Sequence, residues 1–194
     1  GIPKETLAKT ILPLGDLTKE QVRDIAREHK LETADEPESM EICFIADNNY
    51  KRFIKEYAPD KTASIKQGQT LNEDGEQIGE NDGYINYTIG QRRGIGVSNE
   101  KPLYVKEIDS DTNTITVGEK NSLFKDTCKV KGLNWLINEP EFPYNILCQI
   151  RYNGSRAEAV IHKQQDDFTV NFSTPQLAIT PGQSVAIYNK DILI

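Results

Sequence analysis

The spacing of hydrophobic residues changes from a helical to a strand period along this chain. Apolar side chains recur every three or four positions from Val22 to about Leu31, with charged residues between them. This spacing predicts an amphipathic helix that packs one face on a larger body. Because Thr18 followed by Gln21 forms a capping box, the helix is predicted to begin directly after Thr18.

A second helix is predicted after the short apolar run Ile42-Cys43-Phe44-Ile45, which is typical of the end of a buried strand. Asp47 or Asn48 is the expected N-cap of this helix, and Pro59 ends it. Its inward face is expected to carry Tyr50, Phe53, Ile54 and Tyr57. Beyond Pro59 the pattern predicts β structure.

Alternating polar and apolar residues, interrupted by turn residues such as Asp74-Gly75, occupy the rest of the chain. Strands are predicted near residues 84–88, 104–108, 114–118, 144–152, 156–163, 168–172 and 183–188. Short strands at regular spacing are typical of a small barrel or sandwich. The expected fold class is mainly β, with a small α-helical N-terminal remnant, a central β-rich module and a C-terminal antiparallel β-barrel. The two β modules are expected to meet near residue 100.

The formal net charge of −7 over 194 residues argues against a general affinity for nucleic acid. Phosphate contacts need Lys and Arg side chains gathered on one face of the protein. Any RNA-binding surface must therefore come from local groups. The hydrophobic fraction of 37% is low but still that of a globular chain, so disorder is not expected.

Three cysteines, Cys43, Cys128 and Cys148, lie far apart and form no Cys-x-x-Cys pair. This spacing argues against a zinc site or a disulfide framework, and no metal is expected. No apolar run approaches the roughly 20 residues of a membrane span, and no secretory signal opens the sequence. These features predict a protein of the reducing cytoplasm that does not bind a membrane.

Cys43 is the cysteine that stands between a polar loop and an apolar run. From the residues alone, a buried packing cysteine is the commoner interpretation, and a reactive one is the alternative. Four acidic neighbours disfavour a thiolate: Asp35, Glu36, Glu38 and Glu41. A persulfide is intrinsically more acidic than a thiol, so a sulfur-carrying cysteine tolerates these surroundings better than a simple nucleophile.

The segment 87–96 has the sequence Tyr-Thr-Ile-Gly-Gln-Arg-Arg-Gly-Ile-Gly. Its glycines let the backbone approach a ligand, and Arg92 and Arg93 supply donors suited to phosphate. A glycine-shaped β-turn with two solvated arginines explains the same residues and is the commoner case.

Two later segments combine polar and aromatic groups near strand ends. Arg151 and Tyr152 form a pair that RNA-binding proteins use, with charge for phosphate and a ring for base or ribose. A tyrosine at a barrel rim beside a solvated arginine is equally consistent with the sequence. Gln183 in Thr180-Pro181-Gly182-Gln183-Ser184 is suited to bind a nucleotide or, more commonly, to cap the turn.

Taken in order, these segments resemble the C-terminal half of bacterial tRNA 2-thiouridylases of the MnmA family. The matching segments are Leu12-Pro13-Leu14-Gly15, Glu38-Ser39-Met40-Glu41-Ile42-Cys43-Phe44-Ile45, residues 87–96, Arg151-Tyr152 and Thr180-Pro181-Gly182-Gln183-Ser184. The family usually has Asp at the position of Glu38 and Gly at those of Glu41 and Ala46. These three departures alter the shape and charge of the loop around Cys43.

The resemblance implies a role for each candidate residue. Cys43 would be the catalytic cysteine that carries sulfur as a persulfide. The tRNA-binding residues would be Arg151, Tyr152 and Gln183 in the C-terminal barrel and Gln91, Arg92 and Arg93 in the central module. Residues 1–46 would be the end of an adenine-nucleotide α-hydrolase-like catalytic domain, 47–100 the central module and 101–194 the C-terminal barrel.

The resemblance further implies a tRNA-uridine 2-sulfurtransferase that thiolates C2 of the wobble uridine, with ATP as co-substrate. Its partners would be the anticodon region of tRNA and a sulfur-donor protein. The family's Ser-Gly-Gly-x-Asp-Ser loop for ATP and its second catalytic cysteine do not occur in this sequence. The chain is therefore expected to be a fragment that is inactive alone. Two alternatives remain, a non-catalytic RNA-binding β module and a barrel that binds protein partners.

Overall fold

The computed structural model describes residues 2–36, 45, 47, 49–63, 65–152 and 154–194. The chain divides into two units, Gly1–Pro59 and Asp60–Ile194. The first unit is helical, and the second contains both β-sheets. Cys43 lies outside the described residues, so its assignment as a sulfur carrier stays a prediction.

The first unit contains α1 (Lys4–Leu7), α2 (Lys19–Glu28) and α3 (Tyr50–Tyr57), and α4 (Pro59–Thr62) follows. The predicted capping box of α2 is confirmed. The backbone N–H of Gln21 donates to Thr18 Oγ1 over 3.3 Å, and that of Thr18 donates to Gln21 Oε1 over 2.8 Å.

Helix α2 ends at Glu28, three residues before the predicted end at Leu31. Lys30 adopts a left-handed φ of 54°, and its N–H bonds to the Arg27 carbonyl. The Leu31 N–H then bonds to the carbonyl of Ala26 over 2.9 Å. These two bonds form a Schellman C-cap, which ends the helix although the apolar spacing of the sequence continues to Leu31.

Helix α3 begins after Asn49, whose side chain accepts a 3.0 Å hydrogen bond from the Arg52 N–H. Asp47, one of the two predicted caps, instead pairs with the Arg52 guanidinium at 2.8 Å, and this contact lowers the pKa of Asp47 to about 2. The helix ends before Pro59 as predicted. The expectation that Tyr57 points inward is wrong, because its side chain is 80% exposed.

The central sheet consists of β1 (Gly68–Leu71), β2 (Gln77–Asn81), β3 (Tyr104–Asp109) and β4 (Thr114–Gly118), in the order β2-β1-β4-β3. The predicted β3–β4 hairpin is confirmed, with Tyr104 opposite Gly118. Strands β1 and β4 run parallel, and the other neighbours are antiparallel. The buried core of this module consists of Tyr87, Ile95, Val105, Ile115 and Val117.

The segment expected to form a strand near residues 84–88 is instead a 3-10 helix, Tyr84–Asn86. Its first N–H donates to Asn113 Oδ1 over 3.0 Å, and Asn86 Nδ2 donates to the Asp82 carbonyl over 2.7 Å. One of these side-chain bonds comes from a residue 29 positions away and the other from a residue four positions away. Together they satisfy backbone groups of the segment without a strand partner.

The expected module border near residue 100 falls inside the central sheet. Strands β3 and β4 were assigned to the barrel with residues 101–194, yet they pair with each other and, through β4, with β1. We therefore place the border between Gly118 and Phe124. The pairing of β1 with β4 joins residues more than 40 positions apart, which local turn signals do not reveal.

The C-terminal sheet is antiparallel throughout, in the order β10-β9-β6-β7-β8-β5. Its strands are β5 (Phe124–Val130), β6 (Tyr144–Gln149), β7 (Ala157–Gln164), β8 (Asp167–Leu177), β9 (Ala186–Asn189) and β10 (Ile192–Leu193). The mainly β fold class is confirmed. Among the described strands the ladder is open, ending at β10 and β5. Two-residue β10 is too short to complete a barrel wall.

Cys148 lies in the core of this sheet and is 1% exposed. Burial, with a smaller effect of nearby Cys128, raises the pKa of its thiol to about 12. Burial also raises the pKa of half-buried Cys128, and both thiols are free. Both cysteines therefore pack against the core, and neither has the character of a nucleophile.

We expect Cys148 to resist alkylation in the folded protein. At pH 8 its thiol is protonated and enclosed, so iodoacetamide should modify it only after denaturant has been added. Peptide mass spectrometry before and after unfolding measures this difference. Rapid modification of Cys148 in native buffer would contradict the burial that the fold assigns to it.

Candidate nucleic-acid interface

The segment 87–96 forms a loop fastened to β3 by backbone hydrogen bonds. The Gly90 N–H donates to the Val105 carbonyl over 2.7 Å, and the Val105 N–H donates to the Gln91 carbonyl over 2.9 Å. Val105 is fully buried, so these bonds connect the loop to the module core. The backbone of the loop is therefore held in a defined shape.

Gln91 uses its side-chain amide inside this loop. Its Oε1 accepts from the Thr88 N–H at 3.1 Å, and its Nε2 donates to the Arg93 carbonyl at 2.8 Å. Both ends of the amide are thus engaged with the loop backbone. This arrangement makes Gln91 a residue that shapes the loop rather than one that extends towards a ligand.

Arg92 and Arg93 are both exposed, and neither has a carboxylate partner within the part of the chain that the structure describes. Arg92 borders an open groove of about 390 Å³. The groove is otherwise lined by residues 94–103, including Lys101, which is paired with Glu119 at 2.6 Å. Both arginines therefore offer unneutralised positive charge, and Arg92 does so at the edge of a concave surface.

Arg151 follows β6 and reaches across to the segment that follows β8. Its Nη2 donates a 2.9 Å hydrogen bond to the carbonyl of Ala178. The same carbonyl accepts a 3.0 Å bond from the Thr180 hydroxyl. Ala178 is 3% exposed, so the guanidinium is attached to a buried point while Arg151 as a whole remains exposed.

Tyr152 is 90% exposed. Its backbone is nevertheless fixed, because Gln149 Nε2 donates to the carbonyls of Arg151 and Tyr152 over 3.0 and 2.8 Å. Gln149 was not among the candidate residues named from the sequence. Its position at a strand end, two residues before the Arg-Tyr pair, is the sequence signal that could have identified it. An exposed aromatic ring on a constrained backbone is available for stacking on a ligand.

Gln183 lies in a turn closed by its own backbone N–H, which bonds to the Thr180 carbonyl over 3.3 Å. Gly182 provides the left-handed conformation of this turn, with φ 82°. The Gln183 side chain is exposed and makes no hydrogen bond within the described residues. The commoner expectation, that Gln183 caps the turn, does not fit a turn that the backbone closes.

Three candidate segments meet at Ala178. A Cβ atom built on Gly90 would lie 3.1 Å from the Ala178 Cβ and 3.6 Å from Arg151 Nη2. Gly90 belongs to the loop of residues 87–96 in the central module, Arg151 follows β6, and Thr180 belongs to the turn that carries Gln183. We call the meeting point of Gly90, Arg151, Ala178 and Thr180 the Ala178 junction.

The described residues contain no group of three or more His, Cys, Asp or Glu side chains placed to hold a metal ion. Within the same residues, no helix is long and apolar enough to cross a membrane.

Three family profiles match consecutive parts of the chain. Residues 1–47 match the tRNA methyl transferase HUP domain, residues 51–119 the tRNA methyl transferase PRC-barrel domain, and residues 125–194 the aminomethyltransferase beta-barrel domain. The second and third matches meet between β4 and β5, where the sheets also divide.

Curated relatives match along the whole chain. The tRNA-specific 2-thiouridylase MnmA of Carboxydothermus hydrogenoformans is 42% identical over 100% of this chain and 53% of its own length. The proteins of the same name from Acetivibrio thermocellus and Natranaerobius thermophilus are 41% and 40% identical, again over 100% of this chain. The chain spans about half the length of these relatives. Together, the consecutive profile matches and these relatives show that the chain belongs to the MnmA family of tRNA-specific 2-thiouridylases.

Proposed function

We propose that this chain is the tRNA-holding and sulfur-carrying part of a tRNA-uridine 2-sulfurtransferase. The full enzyme would replace O2 of the wobble uridine with sulfur. This chain would bind the anticodon region of the tRNA through its β modules and would not thiolate alone. Its relatives carry the name tRNA-specific 2-thiouridylase, which supports this class of activity.

The observation that carries the proposal is the Ala178 junction. It holds an arginine in a fixed orientation beside Tyr152, whose ring is 90% exposed. A guanidinium suits a phosphate, and an exposed ring stacks on a base or ribose of unpaired RNA. Because the chain carries a net charge of −7, a small arrangement of oriented groups explains RNA binding better than overall attraction.

The remaining candidate residues take complementary roles in this proposal. Arg92 and Arg93 would contact phosphates at the edge of the groove, and Gln183 would offer its free amide to a nucleotide. Gln91 would contribute indirectly, by fixing the loop that presents the two arginines. The surface would thus combine groups from both β modules.

Cys43 would carry sulfur as a persulfide received from a sulfur-donor protein. The other two cysteines are poor candidates, since burial raises the pKa of both thiols. In the transfer, the outer persulfide sulfur would form a bond to C2 of the uridine while the C2–O2 bond breaks and O2 leaves with its activating group. A second thiol would then attack Cys43 Sγ, so that the S–S bond breaks, the sulfur stays on C2 and the two thiols are left as a disulfide. A covalent carrier divides this difficult exchange into two easier steps.

Oxygen is a poor leaving group, and the family resemblance implies that ATP activates it. The sequence contains no glycine-rich phosphate-binding loop before a helix, so its residues do not fit the nucleotide. We therefore assign ATP to no residue of this chain. A reducing cytoplasm would suit a protein that keeps Cys128 and Cys148 as free thiols.

Replacing Tyr152 with Ala tests the proposed stacking. In the intact protein, tRNA affinity should fall by about 1 to 3 kcal/mol, because a stacking contact is lost. The slope of log affinity against log salt should not change, since no charge is removed. Filter binding across a salt series measures both quantities.

Tyr57→Ala is the matched control, because Tyr57 is another highly exposed tyrosine, 80% accessible, and belongs to the helical unit. It should leave tRNA affinity unchanged. If Tyr152→Ala also binds tRNA like the wild type, the C-terminal sheet does not contact RNA through this ring. The interpretation as a protein-binding module would then be the better one.

A further inference from the structure

We infer that Gly90 is a positioning residue for Arg151, and that the absence of its side chain joins the two β modules into one phosphate-binding surface. This inference rests on the proposed tRNA-binding function and adds a residue to it. Gly90 lies in the central module, 61 positions before the arginine that it would position. The connection between them is Ala178.

Besides the left-handed φ of 87° at Gly90, the close approach of the loop to Ala178 requires glycine at this position. A Cβ at Gly90 would lie 3.1 Å from the Ala178 Cβ, a distance shorter than nine in ten real Cβ contacts, so one of the two residues would have to shift by a few tenths of an ångström. The Gly90 backbone cannot easily move away from Ala178, because its N–H donates a 2.7 Å hydrogen bond to the Val105 carbonyl. Any side chain there would therefore press on Ala178.

Pressure on Ala178 would reach Arg151 through a hydrogen bond. The Ala178 carbonyl accepts from Arg151 Nη2 at 2.9 Å and from the Thr180 hydroxyl at 3.0 Å. Ala178 is held on its other side, where its N–H donates to the Leu123 carbonyl over 2.9 Å. A displaced Ala178 would thus release or redirect the guanidinium.

The held guanidinium retains donors for a ligand. A guanidinium has five N–H donors, and the bond to Ala178 uses one of them. Fixing a long side chain before binding reduces the entropy lost when a phosphate is bound. Gly90 would therefore raise tRNA affinity without touching tRNA.

Gly75 provides a matched control for the conformation of glycine itself. Both glycines have a left-handed φ, 87° at Gly90 and 82° at Gly75, so alanine is strained at either position. A Cβ built on Gly75 meets no atom of the described residues within 4 Å beyond its chain neighbours, and Gly75 lies outside the candidate interface. Both substitutions should lower Tm through backbone strain, and Gly90→Ala should lower it further because it alone presses on Ala178.

The test is a double-mutant cycle in the intact protein, measured as tRNA affinity across a salt series. Gly90→Ala should weaken binding on the order of tenfold and flatten the salt dependence, as Arg151→Ala does. In the double variant the two effects should not add, because both remove the same oriented guanidinium. Gly75→Ala should keep the wild-type tRNA affinity and salt slope, and adding it to Arg151→Ala should change neither further.

Ala178→Gly supplies a rescue that a purely structural role would not predict. It removes the Cβ that opposes Gly90 and keeps the carbonyl that holds Arg151. In the Ala178→Gly background, Gly90→Ala should regain most of the tRNA affinity and the original salt slope. Ala178 itself has a left-handed φ of 51°, so Ala178→Gly also relieves backbone strain and raises stability in general. That general gain should raise the Tm of Gly75→Ala equally, whereas regained tRNA affinity and salt slope should be confined to Gly90→Ala.

Three outcomes would overturn the inference. Gly90→Ala with wild-type affinity, additive losses with Arg151→Ala, or no rescue by Ala178→Gly would each show that Gly90 does not position Arg151. In all three cases Arg151→Ala would still weaken tRNA binding, and the proposed function would stand. If Arg151→Ala itself has no effect, both the proposed tRNA contact and the inference fail.

Discussion

Cys43→Ser in the intact protein should abolish 2-thiouridine formation while leaving tRNA affinity unchanged. A serine hydroxyl cannot carry sulfur as a persulfide, so the transfer loses its sulfur source rather than part of its rate. The product should fall below detection when nucleosides from treated tRNA are quantified by mass spectrometry. Filter binding on the same preparation checks that the variant still recognises tRNA.

Cys128→Ala and Cys148→Ala are the controls for this prediction. Both cysteines pack against the C-terminal core, and burial raises the pKa of each thiol. We expect these variants to lose stability, because a buried group has been removed, yet to thiolate tRNA at a temperature where they remain folded. Full thiolation by Cys43→Ser would overturn the assignment of Cys43, and loss of thiolation by folded Cys128→Ala would move it to Cys128.

Arg151→Ala should weaken binding of all substrate tRNAs alike. Hydrogen bonds to charged groups contribute about 1.5 to 3 kcal/mol, so the affinity should fall roughly tenfold or more. One lost phosphate contact should also flatten the slope of log affinity against log salt by about one. Titrations from low to moderate salt separate this effect from a general loss of folding.

Arg156→Ala is the matched arginine control. The Arg156 guanidinium lies 3.9 Å from the centroid of the Tyr188 ring and pairs with Asp191 at 2.9 Å. Because this charge already has a partner within the sheet, its removal should leave the salt slope unchanged. An equal flattening by both variants would show that the slope reports net charge rather than a contact at Arg151.

Features set by neighbouring residues could be predicted from the sequence. The capping box of Thr18 and Gln21 and the hairpin of β3 and β4 depend on side chains and turns a few positions apart. The mainly β character followed from the same local patterns. The end of α2 was predicted about three residues too late, and this error also has a local cause, since Lys30 adopts a left-handed φ.

Features that depend on distant contacts could not be predicted in this way. The parallel pairing of β1 with β4 sets the module border, and the alternation of apolar residues carries no information about which strands pair. The residues of the candidate interface were singled out individually, but not their meeting at Ala178. That meeting depends on a contact between Gly90 and a buried alanine 88 positions later.

The division of roles within the segment 87–96 also needed the structure. Gln91, Arg92 and Arg93 were equivalent candidates in the sequence. The loop geometry separates them, because the Gln91 amide bonds to Thr88 and Arg93 whereas the two arginines face solvent. Hydrogen bonds between a side chain and a nearby backbone are a common alternative to ligand binding for such residues.

Hydrogen exchange of the intact protein, with and without tRNA, most directly tests whether both β modules contribute to one tRNA-binding surface. Bound tRNA should slow exchange in residues 87–96, 149–152 and 178–184 together, because one ligand would cover all three segments. The exposed turn at residues 72–76 should exchange at the same rate in both samples. Unchanged exchange in those three segments under saturating tRNA would contradict the account.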